Sequence, residues 1–176
     1  MEMVYQKPKQ LPRRAKGFKI EAELKLAPGD KGVGVFAAQF IPANTQVDDH
    51  RYIYFDEKES LEILASLQSD EERAFWLSHA FGKDGTIAAH DARVDDGGFI
   101  NHSDYPTLID IDGHEYTTRD VYEGEELTEN YSTFEEVVFF EKLCDQYNAI
   151  DWFIGKDQMN NNHDSRIFDE TCLPSN

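Results

Sequence analysis

Short apolar segments separated by turn residues place the narrowest limit on what this chain can fold into. Residues 18–47 carry three turn signals, at 28–30, 32–34 and 42–44, each rich in Gly, Pro or Asn. The apolar runs between these turns are long enough for a strand and too short for a typical helix. The strand candidates are residues 18–26, 35–37, 52–55 and 86–89. The sequence therefore predicts a mainly β fold with short helices, in the α+β class.

A β-hairpin is predicted over residues 109–118. Ile109 and Ile111 alternate with acidic residues, and residues 115–118 return with strand-like alternation. The two residues between them are Asp112 and Gly113. Asp-Gly is a preferred two-residue hairpin turn because both positions must adopt a positive φ.

Helices are predicted in two regions. A capping-box spacing, in which Ser, Thr or Asp is followed three residues later by Glu, begins at Asp56, Ser69 and Thr133. Apolar residues recur at helical intervals after each of these positions. The first two caps predict a helical insert at about residues 57–81, and the third predicts a C-terminal helix over 134–147.

The composition suits one compact domain with a strongly acidic surface. The chain has 176 residues, of which 40% are hydrophobic, which is enough to form a core. Lys and Arg number 17 against 35 Asp and Glu, a formal net charge of −18. An acidic body repels nucleic-acid phosphates and attracts basic partners. We therefore expect no direct nucleic-acid partner.

The apolar runs and the cysteines exclude other classes. No run approaches the roughly 18 residues of a membrane span, and the N-terminus lacks a secretory signal. Two cysteines, Cys144 and Cys172, have no partner motif for metal binding. We expect no membrane partner and a cytoplasmic location, or a nuclear one in a eukaryote.

Charge and polarity predict the domain boundaries. Residues 1–19 carry six basic side chains and one acidic side chain, and residues 1–16 are expected to form a basic flexible arm. The main domain would span 17–134, with a C-terminal helix within 135–155. Residues 156–176 are Asn-rich and polar, and we interpret them as a tail.

Three motifs carry the functional prediction, and their order matters more than any one of them. Residues 31–37 read Lys-Gly-Val-Gly-Val-Phe-Ala, residues 98–103 read Gly-Phe-Ile-Asn-His-Ser, and residues 124–131 read Gly-Glu-Glu-Leu-Thr-Glu-Asn-Tyr. The Gly-x-Gly element alone is a weak signal, and no strand–helix–strand unit of a dinucleotide site surrounds it. Together the three motifs resemble those of the SET-domain protein-lysine methyltransferases, over about residues 18–134.

The resemblance implies a fold, a cofactor and a set of site residues. The fold would be of the SET type, with small β-sheets, a pseudoknot, a helical insert and a C-terminal helix. The cofactor would be S-adenosylmethionine, and the partner would be a lysine-containing basic protein or peptide. The residues implied as cofactor-binding are Lys31, Gly32, Val33, Gly34, Asn101, His102 and Tyr131. The oligomeric state stays open.

Tyr131 is also the catalytic residue that the resemblance implies. Methyl transfer needs an uncharged lysine amine in line with the methyl group and the sulfur, although the ordinary pKa of lysine is about 10.4. An apolar channel and the positive charge of the cofactor favour the neutral amine, and a tyrosine hydroxyl can hold it in line. Such a reaction requires no metal and no acid–base triad.

Two departures from the family pattern bear on this prediction. Asp104 stands where many members have a zinc-binding cysteine, and no cysteine cluster follows Tyr131, so the sequence predicts no zinc and no other metal. The C-terminal helix, with Trp152 and Phe153, would then close the substrate channel. Glu129 stands where an aromatic residue is common, which leaves the number of transferred methyl groups open.

Two functions stay open from the sequence. The first is a lysine methyltransferase, and the alternative is a catalytically silent SET-fold module that binds basic peptides through an acidic groove. Glu125 and Glu126 are interpreted as a surface turn rather than a catalytic carboxylate pair. The Asp-rich stretches at 48–50 and 95–96 are interpreted as solvated turns.

Overall fold

The computed structural model describes residues 10–29, 31–48 and 50–149. Within them the chain forms small sheets, short helices and two 3-10 turns, at Gly97–Phe99 and Tyr131–Thr133. The strands are β1 Arg13–Arg14, β2 Ala22–Leu26, β3 Val33–Ala37, β4 Tyr52–Phe55, β5 Ala80–Lys83, β6 Thr86–His90, β7 Asn101–His102, β8 Leu108–Ile111, β9 His114–Thr117 and β10 Glu126–Glu129. The helices are α1 Glu57–Ser66, α2 Asp70–Leu77 and α3 Val138–Tyr147. The mainly β prediction with short helices is confirmed.

The largest sheet brings distant parts of the chain together. Its strand order is β1-β2-β3-β10-β7, and β7 pairs with β10 in parallel while the other pairs are antiparallel. Leu24, Val35 and Leu127 are fully buried beneath it, in a core that also holds Ile41 and Val47. The pairing places the first motif, on β3, beside the third, on β10, and the second motif at the edge.

A second core lies between the other multi-stranded sheet and the helices. The sheet has the order β4-β6-β5. Leu64 of α1, Trp76 of α2 and Phe140 of α3 pack together in this core. The helix α3 therefore has a structural role, because its apolar face is used to bury α2 and the sheet.

The predicted hairpin is confirmed as β8 and β9. Ile111 pairs with His114, so the loop consists of two residues. These are Asp112, with φ 54°, and Gly113, with φ 81°. Positive φ at both positions is the geometry that matches the right-handed twist of the two strands.

The helical insert is confirmed in its first two helices and wrong at its end. Asp56 and Glu59 form both capping-box hydrogen bonds, at 2.8 and 3.0 Å. Ser69 caps α2 by accepting from the backbone N–H of Glu72. Ala80 and Phe81, which were expected in the insert, belong to β5. The reason is a local hairpin: β5 pairs with β6 across the two-residue turn Asp84–Gly85, in which both residues have a positive φ.

The C-terminal helix begins later than predicted, at Val138 rather than 134. Thr133 does not cap it, because Thr133 closes a 3-10 turn whose own cap is the Asn130 side chain. The carboxylate of Glu135 accepts from the backbone N–H groups of Asp84 and Gly85, which holds the intervening segment across the end of β5. Trp152, Phe153 and the predicted tail lie outside the described residues.

The predicted arm ends earlier than residue 16. Residues 1–9 lie outside the described part, but Arg13 and Arg14 pair with β2 and Ala15 is buried. The Arg13 guanidinium makes two hydrogen bonds to Asp96, at 2.7 and 2.8 Å. Arg13 and Arg14 thus belong to the sheet, and Ala15 belongs to the core beside it. Among the described residues, none of the helices has the length and apolar character to cross a membrane.

Candidate active site

The first motif forms the turn into β3. Gly32 has φ 78°, a conformation that favours glycine, and its carbonyl accepts from Ala27 at 2.8 Å. A side chain at Gly32 would meet no atom within 4 Å. A Cβ on Gly34, by contrast, would lie 2.5 Å from Oε1 of Glu126 and 2.9 Å from Nδ2 of Asn101. Gly34 is therefore needed for the close approach of the second and third motifs.

Asn101 ties the three motifs together. Its side-chain amide donates to the Val33 carbonyl at 3.2 Å and to Oε1 of Glu126 at 2.7 Å. An amide nitrogen has two N–H donors, so both are used within the protein. Asn101 thus positions the neighbouring strands.

His102 connects the first motif to the catalytic candidate. Its carbonyl lies 3.4 Å from the exposed ammonium of Lys31, and its Nδ1 accepts from the backbone N–H of Tyr131 at 3.2 Å. Because Nδ1 accepts, the proton of the neutral ring is on Nε2, which faces Oδ1 of Asp104 at 3.3 Å. The ring therefore holds the backbone of Tyr131 at a set distance from β7.

The hydroxyl of Tyr131 donates to the carbonyl of Ile100. Burial, followed by the charges of Glu126 and Glu115, raises the pKa of Tyr131 above its usual range. The side chain is consequently a neutral phenol near pH 7. A phenol that donates its hydrogen, as Tyr131 does to Ile100, can also accept a hydrogen bond through the lone pairs of its oxygen.

Aromatic rings continue from Tyr131 along one side. Phe134 stacks on Tyr131 with ring centroids 5.4 Å apart, and Phe81 stacks on Phe134 at 4.8 Å. Tyr52 meets Phe81 edge-on at 5.4 Å. The ring of Tyr131 thus contacts Phe134, which precedes α3, and His102 of β7, at 5.5 Å. Closure of a substrate channel by the C-terminal helix with Trp152 and Phe153 stays a prediction, because those two residues lie outside the described part of the chain.

The seven predicted site residues come together in one region. Contacts join Lys31 to His102, Val33 and Gly34 to Asn101, and His102 to Tyr131, and Gly32 lies within the first motif. Glu126 was missed, because it was interpreted as part of a surface turn. Its position on β10 opposite Phe36 of β3 makes it the acceptor for Asn101. Strand alternation after Gly124 was the signal that could have shown this.

The interpretation of Asp48, His50, Asp95 and Asp96 as solvated turn residues is wrong, and Asp49 lies outside the described residues. Asp95 is buried and accepts from the backbone N–H groups of Arg51 and Gly97, at 2.9 and 2.8 Å. Its carboxylate also lies 3.0 Å from Nδ1 of His90 and 3.2 Å from Nδ1 of His50. Backbone N–H groups and imidazoles from three segments take the place of the water that the sequence interpretation had assigned to this carboxylate.

In this cluster, burial and neighbouring charged groups shift the pKa values of the side chains in opposite directions. Burial alone would lower the pKa of His50, but the nearby carboxylates of Asp95 and Glu115 outweigh it and raise that pKa to about 10. Burial would raise the pKa of Asp95, but His50 and His90 hold it well below its usual range. His90 has a lowered pKa, chiefly because it is buried. The cluster therefore holds the ionised carboxylate of Asp95 inside the protein.

Comparisons with known proteins agree with this architecture. A SET domain family profile matches residues 32–132. Among solved structures, the chain is similar to one described as "ctPRC2 in an autoinhibited conformation bound to S-adenosylmethionine", with a TM-score of 0.52 and 21% identity. The match covers 76% of this chain and 17% of that one, so it supports the fold and not the activity. No curated protein sequence matches this chain. The profile covers more than half of the sequence, and the chain belongs to the SET-domain family.

Proposed function

We propose that this protein transfers a methyl group from S-adenosylmethionine to a lysine in a basic protein segment. The observation that carries the proposal is the setting of Tyr131. Its buried hydroxyl is directed by Ile100, its backbone is held by His102, and aromatic rings stack beside it. This arrangement can accept a hydrogen bond from an amine and orient the amine without protonating it.

The residues around the first motif fit the cofactor. Lys31 presents an exposed cation, and the space on the Cβ side of Gly32 is open. A carboxylate is attracted by such a cation and by neighbouring backbone N–H groups. Lys31, Gly32, Val33, Gly34, Asn101 and His102 would hold S-adenosylmethionine. The cofactor supplies a methyl group on a positively charged sulfur.

Tyr131 and its aromatic neighbours would prepare the substrate amine. Phe81 and Phe134 provide an apolar surface, which disfavours a charged ammonium and so favours the nucleophilic neutral amine. The oxygen of Tyr131 can accept an N–H of that amine and turn its lone pair towards the methyl group. Alignment of this kind can supply a large part of the rate acceleration.

The charge of the chain favours a basic substrate. The net charge of −18 attracts lysine-rich segments and speeds their association at low salt. This attraction selects a class of partner and not a particular protein. The lysine and its protein are to be found by screening basic peptides.

The first experiment is calorimetric titration of S-adenosylmethionine into the wild type and into His102→Ala. We expect micromolar binding that weakens in the variant. A screen of basic peptides would follow, with Tyr131→Phe expected to lower kcat by about 10²-fold through loss of alignment. Tyr105→Phe is the matched control, because Tyr105 is 86% exposed. Absence of cofactor binding to the wild type would exclude the methyltransferase.

The alternative is a silent module that binds basic peptides without turnover. Glu129 favours it, since its carboxylate approaches the buried His50 and Glu115 two residues before Tyr131. Peptide binding with equal affinity in wild type and Tyr131→Phe, and no methyl transfer in either, would select this alternative.

A further inference from the structure

Three side chains from separate segments converge beside Tyr131. Nε2 of His50 and carboxylate oxygens of Glu115 and Glu129 all lie within 4.8 Å of one another. The side chains of His50 and Glu115 are 1% and 3% exposed. Glu129 pairs with His102 on β7 and leads directly into the 3-10 turn that carries Tyr131. The cluster therefore adjoins the proposed lysine site.

Two atoms of the cluster lack hydrogen-bond partners. Among the described residues, Nε2 of His50 and Oε2 of Glu115 are buried side-chain polar atoms without a hydrogen bond. They lie 3.1 Å apart, but they are not aligned for a hydrogen bond. Buried polar atoms are normally satisfied, and each exception needs an explanation.

The separation of these atoms suits two ligands of one metal ion. Bonds of about 2.0 Å in a tetrahedral site place neighbouring ligand atoms about 3.3 Å apart. The 3.1 Å between Nε2 of His50 and Oε2 of Glu115 is close to that spacing. The donor set of one imidazole and two carboxylates is one that Zn²⁺ accepts.

The surrounding residues orient the ligands as they do in many metal sites. Nδ1 of His50 lies 3.2 Å from Oδ2 of Asp95, which leaves Nε2 to face Glu115 and Glu129. A carboxylate on the far nitrogen of a ligating imidazole fixes its tautomer and raises its basicity. Asp48 accepts from the backbone N–H groups of both His50 and Glu115, at 3.3 and 2.7 Å. Both ligands are thus held in place before any ion binds.

We propose that His50, Glu115 and Glu129 bind one divalent transition-metal ion, with Zn²⁺ as the ion that matches them best. The ion would bridge β9, β10 and the loop before β4, and it would neutralise two carboxylates next to Tyr131. This site is independent of the proposed methyl transfer. It also revises the expectation of no metal, which rested on missing cysteines.

Metal content is the direct test. The full-length protein is stripped with a chelator, loaded with Zn²⁺ and desalted, and bound zinc is counted by mass spectrometry. We expect one equivalent for the wild type. By competition with a chromogenic chelator, His50→Gln and Glu129→Gln should each bind at least about tenfold more weakly. Their matched controls are His114→Gln and Glu123→Gln, because both residues are exposed.

X-ray absorption on the zinc-loaded wild type keeps the proposal testable if a variant fails to fold. Nitrogen and oxygen scatterers at about 2.0 Å would support the site, whereas sulfur at about 2.3 Å would assign the zinc to a cysteine and overturn it. The proposal is also overturned if the wild type retains no zinc, or if folded Glu129→Gln binds it as tightly as Glu123→Gln does. A protonated His50 would then be the cation that the carboxylates hold.

Discussion

Single residues in this protein act mainly by holding other residues in position. Asn101 uses its two amide hydrogens on Val33 and Glu126, and His102 uses Nδ1 on the backbone of Tyr131. Such contacts leave few side-chain groups free at the proposed site. Tyr131 and the backbone of the first motif are therefore the groups through which substitutions should act on catalysis most directly.

Gly34→Ala is expected to weaken both stability and cofactor binding. The new Cβ would lie closer than 3 Å to Glu126 and Asn101, which must then separate. Overpacking of this kind costs about 1–3 kcal/mol, measured as the change in the free energy of unfolding in urea. Calorimetry should show weaker S-adenosylmethionine binding. Glu126→Gln is the comparison, because its carbonyl oxygen can still accept from Asn101; equal binding by Gly34→Ala and the wild type would contradict this account.

The pH dependence of the proposed methyl transfer should reflect the lysine amine of its substrate and not Tyr131. The pKa of Tyr131 is raised above its usual range, so the phenol stays protonated in alkaline buffer. The substrate amine loses its proton as pH rises, so kcat/KM should rise about tenfold per unit from about pH 7 to 9 without a decline. A fall in kcat/KM within that interval, in protein shown to be folded, would mean that Tyr131 ionises there.

At the scale of elements, ion pairs tie the first strand to the middle of the chain. Asp96 is 2% exposed and accepts from the Arg13 guanidinium and from the backbone N–H of Lys16. Arg14, next along the chain, pairs with Glu21, and both of those side chains are exposed. Arg13 thus balances a buried carboxylate, whereas the adjacent Arg14 forms an ion pair on the surface.

Arg13→Ala should destabilise the protein far more than Arg14→Ala. Removing Arg13 leaves a buried carboxylate, and because Arg13 is itself 33% exposed we expect about 2 kcal/mol, below the 3–5 kcal/mol of fully buried pairs. Arg14→Ala should change the free energy of unfolding by less than about 0.5 kcal/mol. Urea denaturation of both variants provides the measurement, and similar values would show that Asp96 finds another partner.

At the scale of the whole molecule, charge and topology have different roles. The sheet order β1-β2-β3-β10-β7 places the three motifs side by side, and this is independent of surface charge. The net charge of −18 acts over longer distances on approaching ligands. Topology therefore forms the site, and in the proposed function the charge would select the class of partner that reaches it.

Salt should weaken the binding of a basic substrate. Between about 0.05 and 0.5 M NaCl, the KM for a lysine-rich peptide is expected to rise about tenfold, because ions screen the attraction of the acidic surface. The affinity for S-adenosylmethionine, measured by calorimetry over the same range, should change much less. A peptide KM independent of salt would show that the surface charge does not guide this substrate.

Local sequence determined much of the secondary structure. The capping box at Asp56 and the Asp112–Gly113 turn were predictable because their interactions lie within a few residues. The strand Tyr52–Phe55 was predictable from its aromatic and β-branched residues, although its partner β6 lies far along the chain. The motifs also identified the family, because their order along the chain can be read without knowing which residues are in contact. The start of α3 was not predictable, because it depends on a contact between Glu135 and the turn after β5.

Only the tertiary structure decided which groups are buried and which meet. His50, Glu115 and Glu129 come from separate parts of the chain. In the sequence alone they cannot be told from the surface residues of any acidic protein. The parallel pairing of β7 with β10 and the burial of Asp95 arise when separate segments exclude water between them. Local patterns are set by short-range geometry, whereas burial depends on the whole chain, and so the sequence alone determined the turns, the caps and the family.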